Sequence, residues 1–143
     1  MRLTNKPSGG AGYSGTPLIK KLGIKEGTEI IFINPPAGYI DYLGELPAAV
    51  SIKNRLGGKL DFIHFFTKSN AEYETQFHQL KKSLKLNGQL WISWPKKSSK
   101  ISTDITEDTI RNFALKNGLV DVKVCAVDEI WSGLKLVYRL KDR

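Results

Sequence analysis

One cysteine, one methionine and two histidines are all that 143 residues hold of the side chains best suited to soft-metal binding or thiol and imidazole chemistry. Cys125 alone cannot close an internal disulfide, and His64 and His78 offer no zinc spacing. No apolar run approaches the roughly 18 residues that cross a bilayer. Residues 1–11 lack the apolar core of a secretory signal. These absences lead to the expectation of a reducing cytoplasm and no membrane. Arginine-rich or aromatic-interleaved basic runs are also missing. The glycine-rich Gly12-Tyr13-Ser14-Gly15 lacks the Gly-Lys-Ser/Thr ending of a P-loop, though it could fold over a ligand as a lid. No Ser-His-Asp or Cys-His arrangement can be argued, so no reaction is legible and no cofactor or oligomeric state is implied.

What is present is positive charge and apolar patterning. The formal charge is +8, from 22 basic and 14 acidic side chains. The lysines fall in small groups: Lys20-Lys21-Lys25, Lys81-Lys82-Lys85, Lys96-Lys97-Lys100 and the C-terminal tail. Such scattering is first of all a solvated surface, but it favours anionic partners: nucleic acid, anionic lipid or phosphorylated metabolites. A hydrophobic share of 41% excludes disorder throughout. The length suits one domain, expected over 12–143 behind a flexible lead-in over 1–11.

Alternating strand and helix signals organise the rest. Thr16 and Pro17 open a short helix that Gly23 closes. Glu29 to Asn34 reads as a strand halted by Pro35-Pro36. Tyr39 to Leu46 forms one or two helical turns, and Val50 to Lys53 an exposed strand near an edge. Leu60 to Phe66 is a buried strand. Ser69 with Glu72 fits a capping box, and Tyr73, Phe77, Leu80 and Leu84 form the apolar stripe behind it. Asn87-Gly88 reads as a turn, leading into Leu90 to Trp94, a strand apolar on both faces that belongs in the middle of a covered sheet. Residues 95–105 are a polar loop, after which Asp104 or Thr106 caps a helix ending at Asn117-Gly118. Val120 to Ala126 and Leu134 to Leu140 alternate as two strands of a hairpin joined through Asp128 to Gly133. This order predicts a three-layer, Rossmann-like α/β sandwich with a mostly parallel sheet and a C-terminal antiparallel hairpin.

The helix, Lys25-Glu26-Gly27 turn, strand and helix, followed later by Leu84-Lys85-Leu86-Asn87-Gly88-Gln89-Leu90-Trp91-Ile92, a helix and a hairpin, resemble a small class I methyltransferase-like Rossmann fold. In that class a glycine-rich loop follows the first strand and an acidic residue ends the second. Here those places hold Asn34-Pro35-Pro36-Ala37-Gly38 and Lys53-Asn54-Arg55, departures that speak against S-adenosylmethionine. Gly12 to Leu18, Lys20 to Ile24, Trp94-Pro95-Lys96-Lys97 and Asp121 to Glu129 with Trp131 to Lys135 resemble a bacterial family of small uncharacterised domains. That resemblance implies a compact bacterial cytoplasmic domain and carries over no catalytic role.

Open α/β sheets bind ligands beyond the carboxyl ends of their strands. Lys96, Lys97 and Ser98 follow the central strand and could hold a phosphate or carboxylate. Lys68 and Ser69 follow its neighbour, where Ser69 either caps a helix or shares an anion with it. Asn34 and Gly38 bound the first strand-to-helix turn. Asp128, Glu129 and Trp131 sit in the hairpin connection, where the indole could stack on a base. His64, between Ile63 and Phe65, reads as a satisfied core histidine, His78 as a surface one, and Cys125 as a small buried apolar residue. The expected function is binding of an anionic, nucleotide-like or phosphorylated small molecule at the strand carboxyl ends. The alternatives are an interaction module for RNA or an acidic protein, and a degenerate methyltransferase-like partner of an active relative.

Overall fold

A computed structural model describes residues 16–143. The readings made for residues 1–11 and for Gly12 to Gly15 lie outside the described residues. The elements run α1 (Leu18–Leu22), β1 (Glu29–Ile33), α2 (Tyr39–Leu43), β2 (Ser51–Lys53), β3 (Leu60–Phe66), α3 (Asn70–Lys82), β4 (Leu84–Pro95), α4 (Glu107–Lys116), β5 (Leu119–Ala126) and β6 (Trp131–Tyr138), with single 3-10 turns at Lys97–Ser99 and Leu140–Asp142. Six strands form one sheet in the order β2-β1-β3-β4-β6-β5. β2, β1, β3 and β4 are parallel, and β6 runs antiparallel to both β4 and β5. This is the expected three-layer Rossmann-like sandwich.

Period-two alternation divides the side chains between two cores. On one face Ile31, Ile63, Phe65, Leu90, Ile92, Leu134 and Leu136 pack under Tyr73, Phe77 and Leu80 of α3 and Ile110 and Ala114 of α4. On the other, Ile30, Phe62, Phe66 and Trp91 pack under Leu18 and Leu22 of α1 and Tyr39 and Leu43 of α2. Caps follow the sequence: Gly23 closes α1 at φ 80°, Ser69 Oγ accepts from Glu72 N, and Thr106 caps α4 through Thr109.

The chain departs from the sequence reading in several places, one being that β6 ends at Tyr138 and leaves Leu140, read as part of that strand, exposed in a 3-10 turn. α2 stops at Leu43 because Gly44 takes φ 84°, so the helix does not reach Leu46. Asn87-Gly88 is not a turn between helix and strand: β4 already starts at Leu84 and carries a bulge. Leu60 pairs with Leu84 and Phe62 with Gln89, so the four residues Lys85 to Gly88 stand opposite Asp61 alone. Trp131 opens β6 rather than lying in the connection before it. β5 is an edge strand whose bulge near Val122 breaks the alternation read from Val120 to Ala126, leaving Val122 and Val124 exposed.

β2 is short, and its link to β3 is six residues, 54–59, with no helix. Leu56 from this link packs on the α3 face of the sheet. Because nothing larger covers this corner, two open grooves of about 610 and 500 Å³ flank the link, lined by residues such as Lys59, His78 and Lys82 in the first and Lys53 and Arg55 in the second.

Candidate functional site

The chain leaves β1 for β2 on one side and returns as β3 on the other, so the direction of strand order reverses between β1 and β3. Ligand crevices of open α/β sheets form at such a point. Asn34, at φ 58°, ends β1 there. Its Nδ2 donates to the carbonyl of Phe66 at the end of β3, 3.2 Å away. Pro35 and Pro36 then prevent further pairing, and Gly38 takes φ 84° to start α2.

The next exits lie alongside. Thr67 N donates to Ser93 O (3.0 Å), keeping the ends of β3 and β4 in step. Adjacent strands run about 4.8 Å apart, so Lys68 and Lys96 leave the sheet side by side. Lys68 is exposed, and its carbonyl accepts from Thr103 Oγ1. Lys96 N donates to Ile130 O (2.8 Å), and Lys96 O accepts from Ser99 Oγ (2.6 Å), which fixes the start of the 3-10 turn. Lys97 and Ser98 stand exposed on that turn. The edge is therefore a ledge that bears three lysines, with Asp104 and Asp128 engaged in backbone contacts beside them. Lys68, Lys96 and Lys97 line neither of the two grooves beside the β2–β3 link.

The N-terminus of α3 is already occupied. Ser69 Oγ takes Glu72 N (3.1 Å), and Ser69 N donates to Thr67 Oγ1. Thr67 Oγ1 donates in turn to Glu72 Oε1, which completes a variant of the expected capping box. Asp104 Oδ1 accepts from Asn70 N at 2.8 Å. Asp104, read from the sequence as a cap for α4, caps α3 instead. Ser69 is thus a structural cap, and the chain's own carboxylate takes the place an external anion would need.

Trp131 is 7% exposed, and its ring meets Phe66 edge-on at 5.4 Å. Asp128 Oδ1 accepts from Ile130 N and Trp131 N and so closes the β5–β6 turn. Glu129 is exposed beside it. Cys125 is half-buried, and burial raises its thiol pKa while Lys21 and Lys123 oppose the rise. His78 lies on the exposed side of α3. Among the described residues no three His, Cys, Asp or Glu side chains gather as a metal site.

Beneath the ledge lies a polar chain that the sequence did not announce. His64 is fully buried on β3, with Tyr39 Oη 2.8 Å from Nδ1 and Ser93 Oγ 2.7 Å from Nε2. A neutral imidazole offers one donor and one acceptor, and this arrangement uses both. Its ring stacks on Phe66 at 4.0 Å. Burial lowers the His64 pKa to about 3 and raises that of Tyr39. Ser93 is wholly buried, so the Ser–His pair is closed off from solvent. It pins α2 to the sheet. The core role of His64 was legible from its apolar neighbours. Its partners were not, because Tyr39 lies 25 positions away and Ser93 29.

No protein-family model matches the chain, and no curated protein matches it in sequence. Solved structures do match in shape. A SAM-dependent methyltransferase from Aquifex aeolicus superposes with a TM-score of 0.55 at 17% identity, covering 83% of this chain and 86% of that one. The ribosomal protein L11 methylase from Lactobacillus delbrueckii subsp. bulgaricus gives 0.58 at 14%, covering 85% and 75%. Magnesium protoporphyrin IX methyltransferase from Synechocystis PCC 6803, with bound SAM, gives 0.58 at 13%, covering 85% and 74%. At such identities the likeness shows the fold: the chain has the architecture of these methyltransferases. Among the described residues no helix is long and apolar enough to cross a membrane.

Proposed function

We propose that this chain binds an anionic, nucleotide-like small molecule over the β1–β3 switch point. The observation that carries this reading is the Asn34 amide spanning the ends of β1 and β3, with Gly38 on one side and Lys68, Lys96 and Lys97 on the other. Asn34 and the turn ending at Gly38 would border the sugar or base, and the lysines would meet phosphate or carboxylate oxygens. Ser69 and Trp131 are left out of the ligand contacts, since one caps α3 and the other fills the core.

S-adenosylmethionine, bound by the Synechocystis neighbour, is the natural comparison ligand. Its sulfonium centre carries positive charge and suits a lysine ledge less well than a phosphate does. In addition, β2 ends at Lys53, which pairs with Glu29 at 3.3 Å, where a carboxylate would otherwise hold ribose hydroxyls. The reading is therefore of binding, with no group assigned to catalysis.

A thermal-shift screen of nucleotides, phosphorylated metabolites and S-adenosylmethionine tests it. Ligand that binds only the folded state raises the melting temperature with concentration. The expected result is a shift by a phosphorylated nucleotide that a Lys96→Ala/Lys97→Ala variant loses and a Lys59→Ala/Lys82→Ala groove variant keeps. A screen in which nothing stabilises the wild type more than the Lys96→Ala/Lys97→Ala variant overturns the proposal. A shift lost only in the groove variant moves the site to the β2–β3 link and overturns it equally.

A further inference from the structure

The two faces of the sheet differ in how they treat cations. On the α4 face Arg111 is held by Glu107, Asp108 and Asp121. On the opposite face, between α1 and the β5–β6 ribbon, Lys21, Lys25, Lys123 and Lys135 gather without a carboxylate. Lys123 and Lys135 are register partners on neighbouring strands, so two ammonium-bearing chains start side by side. Lys123 Nζ donates to the carbonyl of Lys21 at 2.9 Å, which draws the ribbon lysine onto α1. Burial lowers the pKa of Lys135, and the charges of Lys123 and Lys25 lower it further. No ion pair among the described residues includes any of the four, and Glu26, next to Lys25 in its turn, forms none. Residues 1–15 contain no acidic side chain.

Like charges placed directly across a strand pair are destabilising, and among the described residues no carboxylate pairs with these lysines. We propose that this lysine face binds the phosphate backbone of a nucleic acid, independently of sequence, at a surface distinct from the carboxyl-edge ledge. The chemistry selects this partner over two others. Protein interfaces are anchored by aromatic and arginine side chains and are poor in lysine, and this face presents lysines with neither anchor among them. A membrane surface calls for apolar side chains beside the cations. Of the two exposed valines of β5, Val124 pairs with Leu134, whose side chain enters the α3/α4 core, so it points away from the lysines, and Val122 in the bulge is a single apolar side chain beside four cations. Ammonium groups on the bulged ribbon, the adjoining helix and the turn after it suit a row of phosphates, which lysine meets as point charges.

The test is fluorescence anisotropy of the full chain with a labelled 20-nucleotide poly-U RNA across a salt series. Four neutralised phosphates on a single strand give a slope of log affinity against log salt near −3, or about fifty-fold weakening between 50 and 200 mM. Lys123→Ala/Lys135→Ala should halve that slope, leaving about sevenfold weakening over the same range. Lys82→Ala/Lys116→Ala, which removes equal charge from α3 and α4, should keep the wild-type slope. Lys123→Glu places a carboxylate opposite Lys135. It should retain or raise the melting temperature while weakening RNA binding further, so that lost binding is not lost folding. A wild-type slope near zero, or a Lys123→Ala/Lys135→Ala variant that binds as wild type does, overturns the proposal. Tighter binding to phosphatidylserine vesicles or to polyglutamate than to the RNA also overturns it, assigning the face to lipid or to acidic protein.

Discussion

The hydroxyl of Tyr39 lies 2.8 Å from Nδ1 of His64, and this one bond ties the helix after β1 to the middle of the sheet. Tyr39 is itself buried, edge-on to Phe32 and Phe66. The turn that borders the proposed ligand site therefore rests on a polar contact inside an aromatic cluster. Four expectations about stability follow from contacts of this kind.

His64 makes folding sensitive to acid. Its folded pKa of about 3 lies well below the ordinary 6.5. Below pH 6.5 the unfolded chain takes up a proton that the folded chain refuses, so stability falls as the pH drops from 6.5 toward 3. The slope from this group is at most about 1.4 kcal/mol per pH unit, and it vanishes above pH 6.5. Denaturant midpoints of wild type and His64→Gln at pH 7, 5.5 and 4.5 isolate it: the wild type should lose more stability on acidification. Parallel curves would mean that the folded imidazole takes up a proton as readily as the unfolded one.

Tyr39→Phe keeps the ring and removes the bond. The His64 nitrogen is then buried without a partner, at a cost of about 1–3 kcal/mol. Amide hydrogen exchange should quicken at Tyr42 and Gly44, whose N–H groups donate to Gly38 and Ile40 within α2. Unchanged stability and exchange would show that the helix is held by apolar packing alone.

Gly88 is needed by packing rather than by a turn. A Cβ there would lie 2.8 Å from Leu84 Cδ1, 3.0 Å from Leu60 O and 3.1 Å from Asp61 O. Two of the three obstacles are backbone and cannot rotate aside. Gly88→Ala should destabilise by about 1–3 kcal/mol, the usual cost of overpacking. A neutral substitution, measured by chemical denaturation, would place Lys85 to Gly88 in an open loop.

Asp104 links the loop after β4 to the start of α3. Asp104→Ala should cost about 1 kcal/mol, as loss of a helix cap does. Asp104→Asn should recover part of it, because the amide oxygen still accepts from Asn70 N while the charge at the helix terminus is gone. Melting temperatures of the three chains give the order wild type, Asn, Ala; any other order removes the cap from the account.

The alternation of apolar residues and the positions of Gly, Pro, Ser and Thr were enough to establish the element types, the α/β class, the interior place of the strand ending at Trp94 and the capping role of Ser69, and to narrow the cap of α4 to Asp104 or Thr106. These depend on neighbours within a few residues, where spacing translates directly into which face a side chain takes. Tertiary structure alone decided which distant polar groups meet: Tyr39 with His64 and Ser93, Asp104 with Asn70, Asn34 with Phe66, and Lys123 with Lys135. Strand order and register bring these together, and both come from the summed packing of the whole sheet. For the same reason Asn87-Gly88, a turn by local preference, became part of a bulged strand once β3 lay beside it, and Trp131 entered the core once its strand began one residue after the turn that Asp128 closes.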